Sequence, residues 1–162
     1  GRALSDSHER LPRVSAAAAE LERDFAPFRA LSHASMAMTA HVVYDALDDA
    51  HCASVSPTVI ETHIRQHIGF DGLLISDDLD MKALAGDIPS RAVAVLDAGC
   101  DIALNCWGKL EDMQGIAGRV PAMTPQATAR LQAACAPLRI IENSAALQSR
   151  IDALLARRDA LA

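Results

Sequence analysis

Apolar residues follow two rhythms along this chain. Val59, Ile60, Ile64 and Ile68 recur at spacings that place them on one face of a helix, with Ser56-Pro57 as N-cap and first-turn proline and Gly69 as a stop. Leu73-Leu74-Ile75 follows as an unbroken apolar run bounded by glycine on one side and acids on the other, the pattern of a strand buried in a parallel sheet. Ser35-Met36-Ala37-Met38-Thr39-Ala40 predicts an earlier strand that ends near His41, with Val42-Val43-Tyr44 running on into a loop. Cys100 to Trp107 predicts a later strand, set off by Gly99.

Helices fill the intervals. The alanine-rich stretch from Ser15 to Phe25 has high helix propensity and is limited by Pro27. A helix around Ser90 to Ala98 separates the last two strands, and stretches from Pro125 to Leu131 and from Ala145 to Arg157 read as terminal helices. Strands alternating with helices predict an α/β fold with a parallel sheet.

The chemistry stands at the end of the central strand, in Ser76-Asp77-Asp78-Leu79-Asp80-Met81. In parallel α/β folds the C-terminal ends of the strands collect reactive groups, because loops leaving the sheet there vary without disturbing the core. Successive side chains on a strand point to opposite sides, so Asp77 and Asp78 are predicted to have different surroundings.

The segment Gly69-Phe70-Asp71-Gly72-Leu73-Leu74-Ile75-Ser76-Asp77-Asp78-Leu79-Asp80-Met81 resembles the nucleophile segment of glycoside hydrolase family 3, in particular its bacterial β-N-acetylglucosaminidases of peptidoglycan recycling. Ser5-Asp6-Ser7-His8 is similar to the mobile Asp-Ser-His loop of those enzymes. Met38-Thr39-Ala40-His41-Val42-Val43-Tyr44 and Asp97-Ala98-Gly99-Cys100-Asp101 resemble two further strand regions, in the same order. The match covers roughly the first two thirds of the chain. It implies a (β/α)8 barrel, a fold that takes about 250 residues. Residues 1–162 are therefore expected to be the C-terminal portion of a single barrel domain, about three strands with their helices, followed by terminal helices. Gly1 would be the last glycine of the family's Lys-His-Phe-Pro-Gly-His-Gly segment, and the N-terminal half of the barrel would be the chain's partner.

The resemblance also implies roles. Asp77 would be the nucleophile of a retaining exo-β-N-acetylglucosaminidase and His8 the proton donor and acceptor, with Asp6 orienting and tuning His8. Its loop would carry His8 away from Asp77 when no substrate is bound. The implied substrate is N-acetylglucosamine linked β-1,4 to anhydro-muramic acid, with or without peptide, in the cytoplasm, and no metal or organic cofactor is implied. His41 and Met81 are candidate substrate-binding residues. A family 3 enzyme of other sugar preference and a noncatalytic sugar-binding barrel remain alternative readings.

Composition narrows the field further. The 162 residues are 51% hydrophobic and carry a net charge of −6 without any basic run, which argues against a nucleic-acid partner. No apolar stretch reaches the ~18 residues a membrane helix needs. Cys52, Cys100, Cys106 and Cys135 lack Cys-x-x-Cys spacing and read as reduced, mostly buried thiols. His63 and His67 stand one helical turn apart, but the residues between them lack the glutamate of a zinc-protease helix, so they read as a solvated flank.

Overall fold

The computed structural model describes residues 2–136 and 144–159; Gly1 lies outside them. In chain order the elements are β1 (Arg13–Val14), α1 (Ala18–Ala30), β2 (Met36–Met38), β3 (Val43–Tyr44), a 3-10 turn (Ala53–Val55), a π-wound helix (Thr58–His67), β4 (Leu73–Asp78), α2 (Ile88–Asp97), β5 (Ile102–Leu104), α3 (Leu110–Arg119), α4 (Pro125–Cys135) and α5 (Ser144–Asp159). The three predicted strands form one parallel sheet in the order β2-β4-β5, with Met36 beside Leu73 and Ile75 beside Ile102. Helices connect neighbouring strands, as in a barrel wall.

One face of the sheet packs on these helices. Leu74 joins Ile60, Phe70, Leu79, Ala92, Val95 and Cys100 in the core, flanked by Ala37 and Ala103 of the adjoining strands. At the free edge, Met36 and Met38 are about half exposed, at 51% and 55%. An apolar cleft of about 390 Å³ runs beside them, between Phe28, Leu31, Tyr44 and Ile68.

Several elements depart from the sequence pattern. The helix over Thr58–His67 is π-wound rather than α-helical, with the Ile68 amide bonded to the carbonyl of His63. Bonds from i to i+5 widen the turn to between four and five residues, which suits an apolar stripe spaced as Ile60, Ile64 and Ile68. α1 continues through Pro27 to Ala30, because a proline in the last turn disturbs little of the helix before it. α2 starts earlier than Ser90, at Ile88, since Asp87 caps it by accepting the Ser90 amide at 2.8 Å. α3 is absent from the sequence reading. Its Gly115 lets it approach α2, where a Cβ would fall 2.5 Å from Pro89 Cγ.

Val43–Tyr44 pairs with Arg13–Val14, which places β3 in a separate two-stranded ladder. The last strand is shorter than Cys100 to Trp107, and Asn105 to Gly108 turn away from the sheet. Of the four cysteines only Cys52 and Cys100 are buried; Cys106 and Cys135 are exposed, which corrects the reading of mostly buried thiols. Burial pushes the Cys100 thiol up to about 12. Among the described residues no helix is long and apolar enough to cross a membrane.

The end of the sheet where the strands begin is locked by charge. Asp101 lies between Arg65 at 2.9 Å and Arg130 at 3.1 Å, and it also accepts the Leu74 amide at 2.9 Å. Arg130 reaches Asp71 as well, so α4 clamps the Gly-Phe-Asp-Gly turn. This end is structural, and it leaves the other free for chemistry.

Candidate active site

β4 carries its regular run to Asp78, but its pairing with β5 slips on the way. Ile75 stands opposite Ile102 while Asp78 stands opposite Leu104, so three steps on β4 face two on β5, a bulge. Ser76 occupies it. Its hydroxyl, fully buried, donates to the Asp77 carbonyl at 2.8 Å and accepts the Leu104 amide at 3.0 Å, taking the place of a ladder carbonyl. A bulge disturbs the simple alternation of faces, so strand geometry alone does not separate Asp77 from Asp78.

Hydrogen bonding does separate them. Asp78 Oδ1 accepts the amides of Asp80 at 3.2 Å and Cys106 at 3.0 Å, which ties it to the loop after β5. Asp80 Oδ2 accepts from the Asn105 side chain at 3.0 Å and the Trp107 amide at 3.1 Å. Asp77 Oδ1 accepts the Asp78 amide at 2.9 Å, and Asp77 Oδ2 has no hydrogen-bond partner among the described residues. Asp78 and Asp80 each commit one carboxylate oxygen to the loop after β5, whereas Asp77 accepts only the backbone amide that follows it and is tied to no other element.

Asp6 and His8 form a closed unit. Asp6 Oδ1 accepts both the His8 amide at 2.9 Å and His8 Nδ1–H at 2.8 Å, and Nε2 has no partner among the described residues. The amide and ring bonds from His8 hold Asp6 below the usual carboxylate range. The Asp6 bond raises His8, and the charges of Asp77 and Asp78 raise it further. His8 is thus within electrostatic range of the acids while its side chain is 73% exposed. Ser7 fastens the loop from the other side, its carbonyl accepting the Ala83 amide at 3.2 Å.

His41 and Met81 lie beneath this surface. His41 has no exposed area; its Nε2–H donates to the Asp78 carbonyl at 3.0 Å and its Nδ1 accepts from Ser54 Oγ at 2.7 Å. Burial lowers its pKa and favours this neutral form. Met81 is only 5% exposed. In this structure His41 braces the acidic segment through the Asp78 carbonyl, and both side chains are buried. His63 and His67 stand apart from the site, ring centroids 6.4 Å apart, with His67 paired to Glu22 of α1 at 2.8 Å.

Arg91 is absent from the sequence reading. From α2 it donates to the carbonyls of Leu79 at 2.6 Å, Met81 at 3.1 Å and Gly86 at 3.0 Å, and so shapes the segment that follows Asp78. Its one visible signal is an arginine in the otherwise apolar run of α2. Ser76 lay inside the recognised motif, but its bond to Leu104 joins residues far apart in sequence.

A parallel sheet with carboxylates at the strand exits and a histidine on a facing loop defines a class of α/β catalytic domain, and comparison with known proteins narrows the class. The family model for the glycosyl hydrolase family 3 N terminal domain matches residues 1–138. This chain belongs to glycoside hydrolase family 3, and its fold is that of part of the family's barrel domain. A beta-hexosaminidase of Methylococcus capsulatus is 37% identical over 148 residues, covering 86% of this chain and 43% of the relative. One of Thiobacillus denitrificans is 42% identical over 111 residues, covering 65% and 31%. The crystal structure of native NagZ from Neisseria gonorrhoeae matches with a TM-score of 0.70 at 36% identity, covering 81% of this chain and 39% of that one. A family 3 β-N-acetylglucosaminidase from Paenibacillus sp. matches with a TM-score of 0.72 at 30% identity, covering 83% and 28%. The chain spans less than half the length of each of these relatives.

Proposed function

We propose that this chain is the C-terminal part of the barrel of a retaining exo-β-N-acetylglucosaminidase, with Asp77 as nucleophile and His8, held by Asp6, as acid and base. The observation that carries the reading is an Asp77 carboxylate not committed to the loop after β5, together with a nearby imidazole whose Nδ1 is bonded to Asp6 and whose Nε2 has no partner among the described residues. In the first step Asp77 Oδ2 attacks the anomeric carbon while His8 Nε2–H protonates the leaving oxygen. The glycosidic C–O bond breaks and a glycosyl ester forms. In the second, the now neutral His8 takes a proton from water, which attacks the same carbon, frees Asp77 and releases the sugar with its configuration retained. The Asp6 carboxylate stabilises the imidazolium needed to begin this cycle.

The proposed substrate is N-acetylglucosamine on an anhydro-muramic acid, with or without peptide, in the cytoplasm. The relatives named beta-hexosaminidase and β-N-acetylglucosaminidase support the sugar class. The N-terminal half of the barrel would complete the site, bind the sugar hydroxyls and cover the open edge at Met36 and Met38. The cleft beside Met36 and Met38 and the cavity between Phe70 and Arg130 are both lined by residues other than Asp6, His8 and Asp77, in keeping with a site that needs that half. The isolated piece is therefore expected to hydrolyse nothing. The test is the anomer first released by the full-length enzyme from a β-N-acetylglucosaminide, followed by proton NMR. Initial β product fits the double displacement, and initial α product contradicts it.

A further inference from the structure

The loop after β5 presents an aromatic surface that the steps above leave unused. Trp107 is the chain's only tryptophan and is 70% exposed, a costly position for a large indole that packs against little. Its backbone is nevertheless fixed. The Trp107 and Cys106 amides and the Asn105 side chain all bond to Asp80 or Asp78, and the Gly108 amide closes the turn on Asn105 Oδ1 at 3.1 Å. The Leu79 amide on the Leu104 carbonyl at 2.8 Å fastens the base of this loop to the exit of β4. Asp78 and Asp80, which follow Asp77 at the exit of β4, therefore fix the backbone that carries the indole, so presenting it requires little further ordering.

Lys109 stands over the ring with Nζ 5.3 Å from its centroid. Lys109 forms no ion pair among the described residues; Arg10, Arg23, Lys82 and Arg91 share that state, and of these cations Lys109 is the one that stands over an aromatic ring. Glu111 and Asp112 follow on the first turn of α3, and neither forms an ion pair with it.

We infer that Trp107 and Lys109 are specificity-determining residues for the leaving group: the indole stacks on the apolar face of the departing pyranose, and the ammonium pairs with a carboxylate carried by that sugar. This inference rests on the glycosidase reading above and assigns two residues of this chain to the recognition of the acidic leaving sugar proposed there. No covalent step is added.

The experiment compares kcat/KM of the full-length enzyme for three substrates. These are β-N-acetylglucosaminyl fluoride, which has no leaving-group ring, chitobiose, whose leaving sugar is neutral, and N-acetylglucosaminyl-anhydro-N-acetylmuramic acid, whose leaving sugar bears a carboxylate. Trp107→Ala is expected to lower the ratio of either disaccharide to the fluoride by about tenfold, with Trp107→Phe restoring most of it. Lys109→Gln is expected to lower the ratio of the acidic to the neutral disaccharide by about threefold to fivefold. Ratios unchanged within twofold in Trp107→Ala and Lys109→Gln overturn the inference, as they would if the rest of the barrel covers the indole. Failure of the unmutated enzyme on all three substrates overturns the glycosidase reading instead.

Discussion

The Ser7 carbonyl accepts the Ala83 amide at 3.2 Å, which joins the loop carrying Asp6 and His8 to the segment that leaves the strand of Asp77. Two halves of a proposed catalytic pair, far apart in sequence, are thereby set by one short stretch of backbone. The shape of that stretch, from Leu79 to Gly86, depends on Arg91.

Arg91→Met removes three bonds to the Leu79, Met81 and Gly86 carbonyls. If Arg91 positions the acid through Ala83 and Ser7, substrates that need their leaving group protonated suffer more than activated ones. We expect kcat/KM in the full-length enzyme to fall by about 10- to 100-fold for a disaccharide and by less than threefold for a dinitrophenyl glycoside. Equal losses on both would assign Arg91 a general structural role.

Asp6→Asn removes the main cause of the raised His8 pKa. A reaction that starts from the imidazolium is fully active below that pKa and declines as pH rises through it. The basic limb of the kcat/KM profile is therefore expected to move to lower pH in Asp6→Asn, with a rate loss of about 10- to 100-fold. A limb that stays in place would remove His8 from the acid role.

Ser76→Ala takes away the acceptor of the Leu104 amide inside the bulge. A buried amide without a partner costs about 1 to 3 kcal/mol. Urea unfolding of the full-length protein should show a loss of that size. No loss would mean that the bulge relaxes into an ordinary ladder.

Asp101→Ala acts at the opposite end of the strands. It leaves Arg65, Arg130 and the Leu74 amide without their shared carboxylate, and removing one partner of such a buried network costs about 3 to 5 kcal/mol. We expect a correspondingly lower unfolding midpoint with kcat little changed where the variant remains folded. A kcat loss without destabilisation would contradict the structural role given to that end.

The parallel alternation of Met36, Leu74 and Ile102 strands was legible in the sequence, because short apolar runs separated by helical stretches leave few other readings. The acid-bearing exit at Asp77 was legible for the same reason. What escaped depends on distant partners. The bulge exists because Ser76 Oγ meets Leu104, and the difference between Asp77 and Asp78 exists because the loop from Asn105 to Gly108 folds back on Asp78 and Asp80. β1 and β3, at two residues each, are too short for any periodicity. α3 was hidden by Gly115 and Gly118, residues that lower helix propensity, although Gly115 is what permits contact with Pro89. His41 stood at a strand exit as anticipated, yet its two ring bonds place it under the site.

In the proposed double displacement Asp77 forms a glycosyl ester. Incubating the full-length protein with a fluorinated N-acetylglucosaminyl donor that forms a slowly hydrolysed intermediate, then mapping its peptides by mass spectrometry, tests this directly. One sugar is expected on the peptide containing Asp77 and none in Asp77→Asn. A sugar on Asp78, on Asp80 or elsewhere, or turnover with no ester on Asp77, would contradict that assignment.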